Sequence, residues 1–112
     1  MNIAEASIRI TFQRSITVID RFGNHTSEWL DYYSCWSEAV SSRRKSEETQ
    51  EAAQTLESDR LEFTVRRSTE TNAVNSKEYR ILLGEKIYNI LSVDEMGFDR
   101  YRRKFLAELV RR

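Results

Sequence analysis

Few side chains in this sequence are suited to chemistry, and their spacing works against it. The only histidine, His25, stands beside Gly23 and Asn24 in what reads as a tight turn, where a general base or metal ligand would be a surface residue without a site around it. The one cysteine, Cys35, cannot form an internal disulfide and reads as a buried or half-buried thiol of a chain made in a reducing compartment. A Cys35/His25 pair would need a supporting cleft, and nothing in the sequence suggests one. Asp94, Glu95 and Asp99 come nearest to a metal cluster but fall short of the ligand set of a calcium loop, so they read as solvated turn acids. There is no glycine-rich phosphate loop. The expectation is a chain with no catalytic residues, no metal and no cofactor.

Two basic clusters remain, Arg43-Arg44-Lys45 and Arg100 with Arg102-Arg103-Lys104. Because 18 Lys/Arg balance 18 Asp/Glu, no global field draws the chain to nucleic acid or to a membrane surface. On a monomer such clusters are solvated faces, whereas a ring would multiply each of them and could present it to DNA phosphates without reading sequence. Residues 1–60 carry seven basic against ten acidic side chains and residues 61–112 eleven against eight, a polarity that can orient copies stacked against each other. No stretch reaches the roughly 18 apolar residues of a membrane helix, and the N-terminus has no basic start or apolar run. The chain is expected to be soluble and made in the cytoplasm, with no membrane partner.

The elements that would carry these residues are mostly strands. A glycine-first turn at Gly84-Glu85 would set Leu83 opposite Lys86, Ile81 opposite Tyr88 and Tyr79 opposite Ile90, which places an almost wholly apolar set on one face. The alternation slips at Ser92, and a bulge near Leu91-Ser92 restores it. Ile8, Ile10 and Phe12 alternate with Arg9, Thr11 and Gln13, and Leu61, Phe63 and Val65 do the same later. The β-branched run Ser15 to Ile19 extends the first strand or begins its return, and Asp20-Arg-Phe-Gly-Asn24 is a turn. Ser27 to Val40 is of strand type, with Trp29 and Trp36 as expected core anchors; an aromatic ligand platform is the alternative. Ser68 to Lys77 reads as a polar loop. Residues 41–60 hold only three apolar residues and cannot be core, so a short helix or long polar loop is expected at 41–58. Tyr101, Phe105 and Leu109 recur at fours, which by period alone favours a C-terminal helix; a strand would align Phe105, Ala107 and Leu109. The whole, residues 1–112, is expected to be one mainly β domain, a small antiparallel barrel or rolled sheet with the polar insertion at 41–60. Its core would comprise Ile8, Ile10, Phe12, Trp29, Trp36, Leu61, Phe63, Val65, Tyr79, Ile81, Leu83, Tyr88 and Ile90.

The order of these pieces resembles the head-tail joining family of tailed bacteriophages, the head-closure or stopper proteins. It is carried by Ile8-Arg-Ile-Thr-Phe-Gln-Arg, the turn at Asp20-Arg-Phe-Gly-Asn24, Trp29, Trp36-Ser-Glu-Ala-Val, the Glu/Ala/Gln-rich insertion, Phe63-Thr-Val-Arg-Arg, Tyr79-Arg-Ile and Lys86-Ile-Tyr-Asn-Ile. The resemblance spans residues 7 to 110. It implies a non-enzymatic virion protein of the neck, made in the bacterial host cytoplasm, which assembles as a homo-oligomeric ring under the portal or adaptor ring and retains packaged DNA. A tail-completion or tail-tube protein would dock on its other side. In the family the long polar connection reaches the channel, which here makes Ser41 to Leu56 the gate and Arg43, Arg44, Lys45, Glu47, Glu48 and Gln50 its channel- or DNA-facing candidates. The family also ends on a strand where period alone favours a helix. Alternatives are another neck or tail-completion protein, or a small-barrel nucleic-acid-binding module using Trp29, Trp36 and the basic clusters. Deleting Ser46 to Gln54 is expected to leave the fold intact while filled heads leak DNA, so full DNA retention by such particles contradicts the gate assignment.

Overall fold

The computed structural model describes residues 8–41, 59–97 and 99–110. Six antiparallel strands, β1 (Ile8–Ile19), β2 (His25–Ser41), β3 (Arg60–Arg66), β4 (Tyr79–Leu83), β5 (Lys86–Asp94) and β6 (Arg102–Leu109), close into a barrel in the order β1-β2-β3-β6-β5-β4. One short helix, α1 (Thr69–Ala73), accompanies them among the described residues.

The β4–β5 hairpin has the register that alternation requires, with Leu83 opposite Lys86 and Ile81 opposite Tyr88. Gly84 has φ 62 whereas Glu85 stays out of the left-handed region, the signature of a glycine-first turn. The ladder between β5 and β6 shifts register between Ile90 and Ser92, so Leu91 bulges out where the alternation fails.

Inward side chains from all six strands fill the barrel, and its fully buried apolar residues come from every strand but β2. Ile10, Phe12, Leu61, Phe63, Val65, Tyr79, Ile81, Tyr88, Ile90, Phe105 and Ala107 are buried, with Val74 added from the loop after α1. Phe12 meets Phe105 edge-on at 5.2 Å and Phe63 meets Tyr88 edge-on at 5.4 Å. Ile8 and Leu83 pack partly buried at the margin. β2 contributes Tyr33, Cys35, Ser37, Ala39 and Ser41, which face Phe12, Ile10, Ile8, Phe63 and Leu61 in register. These residues are mostly small because the rings of the other strands already occupy the interior.

Three expectations are corrected. Residues 102–109 form a strand and not a helix, because β3 and β5 each present an edge that β6 pairs along its length. Spacing of four fits a strand as well as a helix, since four is a multiple of two. The second correction concerns the indoles. Trp36 is 47% exposed on the outer wall and Trp29 is only half-buried, also outside. Seven residues apart on a regular strand, they would lie on opposite faces. The extra residue Tyr32, inserted where the β1 register shifts between Phe12 and Gln13, turns both outward. Third, the loop from Ser68 to Lys77 contains α1, capped by a reciprocal Ser68/Thr71 box, and it buries Thr71 and Val74 over one end of the barrel.

The buried set generates two stability expectations. Ile81→Ala, at a fully buried position, is expected to lower stability by about 2 to 5 kcal/mol. The Tyr88 hydroxyl is buried with no hydrogen-bond partner among the described residues, so Tyr88→Phe is expected to leave the urea midpoint unchanged or higher. A large loss in Tyr88→Phe contradicts this account.

Candidate functional site

The closed barrel leaves one part of the sheet without flanks. β4 pairs with β1 only from Thr11 to Arg14, with a last bond from the Ser15 amide to the Glu78 carbonyl at 2.7 Å. β3 pairs with β2 only from Ser37 to Ser41. Beyond these limits β1 and β2 continue as a two-stranded arm, Ser15–Ile19 against His25–Trp29, which projects by roughly 17 Å at the usual rise per residue. The β-branched run of β1 favours this extended ladder.

The arm ends in a turn built by Asp20. Its carboxylate accepts the Phe22 and Asn24 amides at 2.8 and 2.9 Å and the Asn24 side-chain amide at 3.2 Å. The backbone bond from Asn24 leads the effects that hold the Asp20 carboxyl below its ordinary value. Gly23, at φ 82, makes the reversal. The turn leaves large apolar groups in water, Phe22 at 76% and Ile19 at 62% exposure. The Arg21 guanidinium lies over the Phe22 ring at 5.1 Å.

At the root of the arm the Arg80 guanidinium stacks on Trp29 at 4.3 Å. Its Nε donates to Gln13 Oε1 at 2.7 Å, and Gln13 Nε2 donates to Asp31 Oδ1 at 2.8 Å. Burial pushes the Arg80 pKa below that of an ordinary arginine. A rigid cation on an indole shelf is the kind of group that anchors protein interfaces.

The same end of the barrel is closed by a polar plug. Arg103 points inward from β6 and is only 9% exposed. It donates through Nη1 to the Thr71 and Val74 carbonyls at 2.6 and 2.8 Å and through Nε to Glu95 Oε1 at 2.9 Å. Arg67 joins the same carboxylate at 3.1 Å and also donates to the Glu95 and Asp99 carbonyls at 2.9 and 2.6 Å. α1 and the turn after β5 are thereby tied to β6. The Arg103 hydrogen bond, foremost, and the Arg67 contacts hold the Glu95 carboxyl below its ordinary range.

These contacts reassign several side chains that the sequence placed at the surface. Glu95 and Asp99 are latches and not free turn acids: Asp99 binds Arg102 at 2.9 Å and also accepts the Tyr101 and Arg102 amides. Three of the four members of the second basic cluster are engaged, Arg102 by Asp99, Arg103 by the plug and Lys104 by Glu62 at 3.4 Å, while Arg100 is exposed. Such a cluster does not form a free phosphate-facing strip. Arg43, Arg44, Lys45, Glu47, Glu48 and Gln50 lie outside the described residues. Burial pushes the Cys35 thiol up to about 11, which leaves it protonated and unreactive at neutral pH. His25 opens β2 ten residues before Cys35, roughly 33 Å away along an extended strand, so the two form no pair. Among the described residues no cluster of His, Cys, Asp and Glu is fit to hold a metal, and no helix is long and apolar enough to cross a membrane.

Comparison with known proteins agrees with this architecture. A family model described as phage head completion protein matches residues 1–109. Among solved structures, a Shigella flexneri 2a protein determined in solution superimposes with a TM-score of 0.68 at 20% identity, over 97% of this chain and 96% of that one. A chain from the virion of a native gene transfer agent particle superimposes with a TM-score of 0.57 at 22% identity, over 91% of this chain and 93% of that one. At such identities the likeness is one of fold. No curated protein matches the sequence. The chain belongs to the phage head completion protein family, a family of structural virion proteins.

The plug generates a pH-dependent expectation. Glu95 has a lowered folded-state pKa, so its contribution is present above the ordinary carboxylate range and is lost as pH falls through the folded value. Its side chain is 45% exposed, which limits the effect: Glu95→Gln is expected to lower stability at pH 7 by about 1 to 2 kcal/mol. Urea titrations should show the gap between the two proteins closing in acid, and a gap independent of pH contradicts the assignment.

Proposed function

We propose that this head completion protein is a non-enzymatic neck component that assembles as a homo-oligomeric ring on the portal or its adaptor. The ring closes the DNA channel once packaging ends and offers the surface on which a tail-completion or tail-tube protein docks. Its contact with packaged DNA follows charge and not sequence.

The observation that carries this reading is the family match over residues 1–109. The architecture supports it in a second way. A closed barrel hides its own edges, whereas the projecting arm has open edges and carries the exposed Ile19 and Phe22, which a neighbouring protein can cover. The nucleic-acid-module alternative draws little support, since Arg102, Arg103 and Lys104 are each engaged by the fold. Among the described residues, the cation over the Trp36 ring is Arg9 at 5.5 Å.

Filled heads made without this chain are expected to lose DNA and to reject tails, and adding the purified protein should restore both. Electron microscopy of the restored particles should show a ring at the portal vertex. Stable, tail-competent heads in its absence overturn the reading.

A further inference from the structure

The arm has two free edges, and each is the complement of the other. Within its ladder the Asp20 amide donates to the Asn24 carbonyl at 3.0 Å, whereas the Ser15 amide points away from β2 and donates to Glu78. Opposed residues of an antiparallel pair alternate between bonded and non-bonded, so Ile16 and Val18 bond to Glu28 and Thr26 inside the arm. Thr17 and Ile19 then turn their N–H and C=O groups to one edge, and Ser27 and His25 turn theirs to the other. Among the described residues no strand takes either edge, since β4 pairing stops at Arg14 and β3 pairing begins only at Ser37. The β1 edge also lacks the usual protections: Ile16 to Ile19 holds no charge, no proline and no bulge. Because β1 runs toward the tip and β2 away from it, two arms set side by side present edges of opposite direction and matching phase. Charge agrees with this fit. Arg14 flanks the β1 edge, exposed and only loosely held by Glu78 at 3.9 Å, and Glu28 flanks the β2 edge, exposed and without an ion pair among the described residues. Both lie on the even-numbered face of the arm. With Thr17 opposite Ser27 of the next copy, that copy's Glu28 stands beside Ile16, one same-face step from Arg14.

We propose that the arms of neighbouring copies pair edge to edge, residues 16–19 of one against residues 25–28 of the next, with Thr17/Ser27 and Ile19/His25 as the bonded pairs and Arg14/Glu28 as the ion pair beside them. The contact is heterologous: each copy uses its β1 edge on one side and its β2 edge on the other, and repetition gives a ring when the rotation closes. A strand from an unrelated protein fills one edge and leaves the other open, whereas a second copy satisfies both with a single kind of contact. The inference rests on the ring reading above and supplies its contact.

The test uses filled heads made without this chain and reads the concentration of purified protein needed to seal them, with urea midpoints confirming that each variant folds. Thr17→Pro and Ser27→Pro each remove an amide that the arm's own ladder does not use, so both should fold yet require about tenfold more protein. Thr17→Ala keeps the amide and should match the wild type. Arg14→Glu and Glu28→Arg should each require several-fold more, and an equimolar mixture of the two should recover most of the loss. In alternating copies the two reversed charges meet each other and the remaining contacts keep the original pair, a recovery that no effect confined to one chain can produce. Proline variants that seal like the wild type, impairment at one edge only, as a strand of another protein or a symmetric arm pair would give, or a mixture no better than its components overturns this contact while the neck assignment stands. A wild type that fails to seal the heads overturns the neck reading itself.

Discussion

Closure of the barrel depends on β1 pairing along both of its edges. Over Thr11 to Arg14 it is bonded to β2 on one side and β4 on the other, and that shared stretch turns a six-strand sheet into a ring. The constraint fixes the interior as well. Once Phe12 faces inward opposite Ile81 and Tyr33, period two dictates the facing of every neighbouring residue, and a slip by one would send Phe12, Ile10 and Ile81 to solvent. The core is held by register as much as by hydrophobicity. The two irregularities, at Tyr32 and Leu91, fall where the pattern would otherwise bring an unsuitable side chain inside.

The same constraint explains why the surface features lie where they do. β4 has five residues and β3 seven, while β1 and β2 have twelve and seventeen. The barrel can use only as much of the first hairpin as its partners can flank. The surplus becomes the arm, whose alternating small and aliphatic residues gain little from the core. The plug at the arm end of the barrel has the reverse logic. A cation at position 103 would be costly inside, yet the two carbonyls of the α1 region and the Glu95 carboxylate accept from its Nη1 and Nε and compensate its burial. It thus fastens two connections that have few apolar residues of their own.

What was legible in the sequence was whatever alternation and turn chemistry report locally. The β4–β5 hairpin, its glycine-first turn, the Leu91 bulge, the inward set of β3 and the Asp20–Asn24 turn follow from neighbouring residues alone. What was illegible depended on distant partners. Residues 102–109 carry good helix formers, and only the edges of β3 and β5 make them a strand. Trp36 looked like a core residue because its size is local information, whereas the bulge at Tyr32 and the crowding by Phe12, Phe63 and Phe105 are not. Arg103 and Glu95 looked solvated because their pairing crosses from one connection to another. The arm's strand character was visible in Ser15 to Ile19, but its projection results from where β3 and β4 stop.

The position of β6 also orders events at the ribosome. It follows the other five strands in sequence yet lies between β3 and β5 in the sheet, so neither of those strands has its second neighbour until residues 102–109 have emerged. Until then the nascent chain is an open, curled ribbon with two unsatisfied margins and an interior exposed to water. Folding must therefore wait for the last segment, and the interval before it arrives is when a chaperone is needed most.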